Sequence, residues 1–136
     1  MRATDLKIPW YGYAGMAGLL VLVLLYYGIN PERGGFPACP FHELTGFFCT
    51  GCGSQRALHD LLHLDVAGAL GHNLLFPPVV VLLAWHVVSR MAARSGRRAW
   101  KSPLDYSRAP LLVLGIVLVF TLLRNLPWEP FRLLAP

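Results

Sequence analysis

PWYGYAGMAGLLVLVLLYYGIN, from Pro9 to Asn30, carries no charged residue over 22 positions. At ~1.5 Å of rise per residue, a helix of this run reaches ~33 Å, enough to cross the hydrocarbon core of a bilayer. Trp10, Tyr11 and Tyr13 near one end, and Tyr26 and Tyr27 near the other, stand where interfacial aromatic belts form. Pro9 suits a helix start, because the N–H it lacks would have no partner there. A cleaved signal peptide is the competing account. The apolar region is long, however, and no Ala-x-Ala site precedes Asn30-Pro31, which favours a retained span. Gly12, Ala14, Gly15 and Gly18 form a small-residue face on which a helix of another small membrane protein, or of a second copy, can pack closely.

The rest of the chain agrees with a membrane setting. More than half of its 136 residues are hydrophobic and 14% are charged, too apolar for an ordinary soluble domain and too short for two. The net charge of +5 does not imply a nucleic-acid partner, since the basic residues gather beside an apolar run without an aromatic-rich soluble platform. A second apolar segment covers about 74–92, with Pro77-Pro78 either opening or kinking it. A third covers about 109–126, with Pro110 near its start and Pro127 just past its end. Between them Arg90, Arg94, Arg97, Arg98, Lys101 and Arg108 face Asp105 as the one acidic residue, whereas 31–73 holds only Arg33 and Arg56. Short connections rich in Lys and Arg stay in the cytoplasm. The expected protein is therefore an all-α, multi-pass inner-membrane domain of three transmembrane helices. Its N-terminus, with Arg2 and Lys7, and its 90–108 loop are cytoplasmic; its C-terminus and a cap over about 31–73 lie outside.

That cap contains every cysteine of the chain: Cys39, Cys49 and Cys52. Asn30-Pro31-Glu32-Arg33-Gly34-Gly35 breaks the first helix before it. After it, Ser54 to His63 shows amphipathic helical spacing, and Asp65 can cap a second short helix from Val66 to about His72. Helices this short and polar lie along a membrane surface, among lipid headgroups. Three accounts of the cysteines stay open. Cys39-x-x-His42 and Cys49-x-x-Cys52-Gly53 pair like zinc knuckles, and three thiolates with one imidazole complete a tetrahedral shell. Cys39 with Cys49 or Cys52 makes a structural disulfide that staples a loop lacking a core. Cys49-x-x-Cys52 ahead of a helix start makes a redox pair, since the helix dipole favours thiolate.

The run Cys39-Pro-Phe-His-x-Leu-Thr-Gly-x-x-Cys49-x-Gly-Cys52-Gly-Ser-x-Arg56-Ala57, with Leu61-Leu62, Asp65, Ala69 and Asn73 beyond it, resembles the domain-of-unknown-function 2752 family of small bacterial membrane proteins. The resemblance implies a multi-span protein with a cysteine signature and brings no activity with it. Members commonly show Pro at Thr50, Thr at Gln55 and Gly-Asp at Leu64-Asp65. The family varies at the position of His42, which implies that it is not an obligatory ligand.

Around the cysteines, His59 and His63 share a helix face. Arg56, Asp65, Asn73 and Arg124 are candidate polar supports, with Arg124 expected to satisfy helix carbonyls or to pair with Glu43 or Asp60. Nucleophile, phosphate-loop and metalloprotease motifs are absent and the carboxylates are scattered. The function expected first is a non-enzymatic membrane module or subunit whose outward Cys/His cap is held by zinc or a disulfide. A membrane thiol–disulfide oxidoreductase using Cys49 and Cys52, and lipid or anion binding at Arg56 and Arg124, are the alternatives.

Overall fold

The computed structural model describes residues 10–34, 36–96 and 100–135; Pro9, Arg2, Lys7, Arg97 and Arg98, which entered the expectations above, lie outside them. Among the described residues every regular element is helical. α1 (Trp10–Gly28) follows the charge-free run, and none of its residues is buried. It ends at the expected breaker, where the Asn30 side chain accepts from the Glu32 N–H and caps a short 3₁₀ turn, Pro31–Arg33. Three short helices follow: α2 (Pro40–Thr45), α3 (Ser54–Leu62) and α4 (Val66–His72). α5 (Phe76–Arg94) opens on Pro77-Pro78, so these prolines start the helix and do not kink it. α6 (Ala109–Leu123) closes the set.

α1 and α5, at 19 residues each, could cross a membrane by length and composition. The third apolar run forms a shorter helix than the expected span: α6 has 15 residues, which at ~1.5 Å each reach ~22 Å. Its end has a local cause. At its C-terminus, Arg124 N–H to Phe120 O, at 3.1 Å, is the last helical bond; the Asn125 N–H then turns to Leu122 O at 3.2 Å while the Asn125 side chain donates to Thr121 O at 2.7 Å, occupying the carbonyl a continuing helix would need. At its other end a 3₁₀ turn, Pro103–Asp105, closed by a Ser102–Asp105 capping box, breaks the chain before Ala109. Arg90 reaches Asp105 at 2.7 Å, fastening this connection to α5, and His86 Nδ1 stands 3.8 Å from the same carboxylate. The Ser102 backbone N–H, followed by the positive charge of Arg90, holds the Asp105 carboxyl below the usual carboxylate range.

The cap is where the chain is most closely packed. α3 and α4 lie against each other, and each carries a fully buried alanine, Ala57 and Ala69, whose methyl side chains let packed neighbours approach closely. Asp65 caps α4 as expected, its Oδ1 accepting from Gly68 N–H at 2.9 Å. The corner between the two helices turns on Leu64 at φ 63°, a left-handed conformation that favours glycine, and the Gly-Asp of the resembled family would carry it without strain. α2 is an addition to the sequence expectation: Pro40 opens it and Gly46, at φ 74°, ends it with its N–H on His42 O. Three helix ends meet this cap, namely the C-terminus of α1, the N-terminus of α5 and the C-terminus of α6. His59 Nδ1 lies 2.7 Å from Tyr26 O at the first, Asn73 precedes the second, and Arg124 and Asn125 follow the third.

Candidate metal centre

Each cysteine is placed by a local backbone device. Cys39 stands at the N-cap of α2, immediately before Pro40. Cys49 and Cys52 sit at the two ends of a tight turn closed by Cys52 N–H to Cys49 O at 3.1 Å. Gly53, at φ 81°, then reverses the chain into α3, and Ser54 returns both its N–H and its hydroxyl to Gly51 O, at 3.0 and 2.7 Å. The outcome is a triangle of sulfurs. Cys49 Sγ is 3.5 Å from Cys39 Sγ and 3.5 Å from Cys52 Sγ, and all three lie within 4.8 Å of one another. A disulfide needs ~2.05 Å between sulfurs. Thiolates bound at ~2.3 Å to a tetrahedral ion stand ~3.8 Å apart, by the geometry of the tetrahedron. The spacing therefore suits sulfurs with an ion between them.

The loop bearing this triangle is clamped from two directions. Arg124, 1% exposed, donates from Nη1 to Cys49 O at 2.8 Å and Cys52 O at 3.3 Å, and from Nη2 to Cys52 O at 3.2 Å. Its guanidinium lies over the rings of Phe120 and Phe48, 5.1 and 5.8 Å from their centroids. Asn125 pairs with Phe48 in both senses, accepting its N–H and donating to its carbonyl at 2.8 Å each. From the side of α5, Asn73, 2% exposed, donates to Thr50 O at 2.8 Å and Cys52 O at 3.2 Å while accepting from Leu75 and Phe76 N–H. Carbonyls along 48–52 thus find side-chain donors in place of water, which holds the sulfurs in one geometry.

The thiols differ in electrostatic setting. The His42 backbone N–H in the first turn of α2 faces Cys39 without closing a cap hydrogen bond, and with the Cys49 thiol it draws Cys39 below the ordinary thiol pKa. Burial pushes the Cys52 thiol up to about 12, with the neighbouring Cys49 thiol adding to the rise.

Other residues singled out from the sequence are distributed around the centre. His42, the expected fourth ligand, is not among the atoms gathered there: its Nδ1 faces Phe47 O at 3.3 Å and its ring stacks on Phe48 at 4.4 Å. His59 and His63 pack away from the sulfurs, His59 on Tyr26 O and His63 with Nδ1 2.9 Å from His59 O and its ring on Tyr27 at 4.3 Å. Arg56 is half-buried and makes no hydrogen bond or ion pair among the described residues. Arg124 meets carbonyls, as expected, and no carboxylate: neither Glu43 nor Asp60 pairs with it. Asn125 as a loop clamp, and Phe48 and Phe120 as the walls around Arg124, were not foreseen as part of the site. The visible signal was a polar Arg124-Asn125 pair closing an apolar run.

The family described as a protein of unknown function (DUF2752) matches residues 39–87, from the first cysteine through most of α5. No curated protein and no solved structure matches the chain.

Proposed function

Since the segment 39–87 matches the domain-of-unknown-function 2752 family, whose description assigns no activity, we propose a function from the site itself: a small membrane module whose outer cap is a thiolate centre for zinc. The observation that carries it is the triangle of three free thiols at 3.5 Å spacing around Cys49. Thiolates prefer soft or borderline ions, and three of them supply most of a tetrahedral zinc shell, leaving one position for a further donor. An ion there joins α2 to the turn before α3, so that the cap, itself poor in apolar core, holds together the ends of three helices.

In this proposal α1, α5 and α6 all cross the membrane, with the short α6 completed by the turn after it, and the basic connection 90–108 is cytoplasmic. The meeting of three helix ends at the cap, with Arg90 and Lys101 at the opposite end, supports that topology. A cysteine introduced at Ser95 in a cysteine-free background will react with an impermeant thiol reagent only after the membrane is opened. Reaction in intact cells would reverse the orientation.

Elemental analysis of protein purified without chelator, together with intact mass under non-reducing conditions, tests the centre. About one equivalent of zinc with all three thiols reduced is the expected result. A second proposal, thiol–disulfide exchange, draws on the same central position of Cys49, which can pair with either neighbour. A mass lower by two hydrogens and no metal would overturn the metal centre in favour of a disulfide, and ready exchange with a mild reductant would then mark a redox pair, resistance to it a structural staple.

A further inference from the structure

Arg124 is buried without a counter-charge. Its Nη atoms end on the carbonyls of Cys49 and Cys52, its Nε is buried with no acceptor, and among the described residues no carboxylate lies within ion-pair distance of it. Guanidinium stays protonated in proteins, and taking it out of water is costly unless negative charge stands nearby. Carbonyl dipoles and the faces of Phe48 and Phe120 offset part of that cost. The groups beside it able to carry full negative charge are the cysteines whose backbone it holds. Arg124 also lies outside the segment matched by the family, so nothing in that match assigns it a role.

We infer that Arg124 is the counter-ion of the cysteine centre and selects the charge of the ion it accepts, in favour of divalent soft cations. This rests on the metal reading proposed above. A divalent ion displaces three protons from three thiols and leaves a complex with one negative charge, which the guanidinium neutralises. A monovalent ion leaves an additional negative charge. Arsenous acid gives up three hydroxyl groups as three waters on condensing with three thiols, and the resulting tris-thiolate is neutral, so the guanidinium stays uncompensated beside it. No electrons move in any of these reactions. Arg124 acts through charge on the bound ion without touching it, and is a positioning residue in that sense.

The test is a comparison of two probes on the full-length protein in detergent: Cd²⁺, followed by its thiolate absorption, and arsenite, followed by protection of thiols. Arg124→Gln keeps an amide donor and removes the charge. It is expected to weaken Cd²⁺ roughly 10- to 100-fold, the usual cost of losing a group that supports a metal site, while arsenite holds or tightens. Arg124→Lys keeps the charge and loses the fork, so the ratio of the two affinities stays close to that of the unsubstituted protein. A purely structural Arg124 would weaken both probes by one common factor in the Gln variant, and that result overturns the inference while leaving the metal reading intact. Failure of the unsubstituted protein to bind Cd²⁺ removes the metal reading itself. Should the Gln variant not fold, Arg124→Lys decides: a ratio that moves about tenfold or more toward arsenite with the charge retained is incompatible with charge selection.

Discussion

Cys49→Ser is expected to weaken metal binding at the cap about 100-fold, and to cost more than the same change at Cys39 or Cys52. Cys49 is the vertex of the triangle, 3.5 Å from each neighbour. Its loss leaves the two cysteines that lack any 3.5 Å contact with each other, whereas loss of an outer cysteine leaves an adjacent pair. Serine keeps the size but is a hard, protonated donor at neutral pH, ill suited to a soft ion. A complete structural zinc site stabilises its fold by ~10–16 kcal/mol, so one ligand in four contributes about 2.5–4 kcal/mol, equivalent to roughly 60- to 700-fold in affinity. Competition with a chromogenic chelator measures it. Full occupancy retained by the Cys49→Ser protein would show that the sulfurs are not the ligands. Cys39→Ser, at the more exposed edge of the triangle, should keep weak binding.

Asn73→Ala should destabilise the cap by roughly 2–4 kcal/mol, although residue 73 touches no sulfur. The side chain is 2% exposed and fully used: its amide holds Thr50 O and Cys52 O, and its oxygen receives Leu75 and Phe76 N–H at the start of α5. Alanine leaves Thr50 O and Leu75 N–H without a partner in a place that water reaches poorly, so the loss includes their desolvation, while Cys52 O keeps Arg124 and Phe76 N–H keeps Asn73 O. Asn73→Asp separates the two halves of the role. It keeps the acceptor for the start of α5, loses the donor, and puts negative charge beside carbonyls and thiolates. Metal affinity should therefore fall further in the Asp variant than in the Ala variant, even though the α5 cap is preserved. Denaturant melts in detergent, with and without Cd²⁺, give both quantities. An Asn73→Ala protein within about 0.5 kcal/mol of the original would mean that the loop does not depend on this clamp.

Features set by neighbouring residues were legible in the sequence. The charge-free run over α1, the amphipathic spacing of α3, the Asp65 cap of α4 and the prolines that open α5 are all local, since helix periodicity and capping involve residues within about one turn. Cys49 and Cys52 as ends of one turn belong to the same class, as does Gly53 behind them. Two local signals misled or were overlooked. Hydropathy carried the third apolar run to about 126, whereas the Asn125 side chain on Thr121 O, with its N–H turned to Leu122 O, ends α6 at Leu123, and Pro40 with Gly46 bracket α2 inside what read as loop.

What tertiary structure alone decided is who meets whom. Arg124 grips Cys49 O across 75 positions of chain, and Asn125 pairs with Phe48 across 77. Nothing in the local pattern of either segment encodes the other. The same holds for Cys39 beside Cys49, ten residues apart with α2 between them, and for His42 turning onto Phe48 instead of the sulfurs. Composition and periodicity report how each segment partitions between water and an apolar surrounding. The donor that satisfies a particular buried carbonyl is settled only when helix ends converge and exclude water from it.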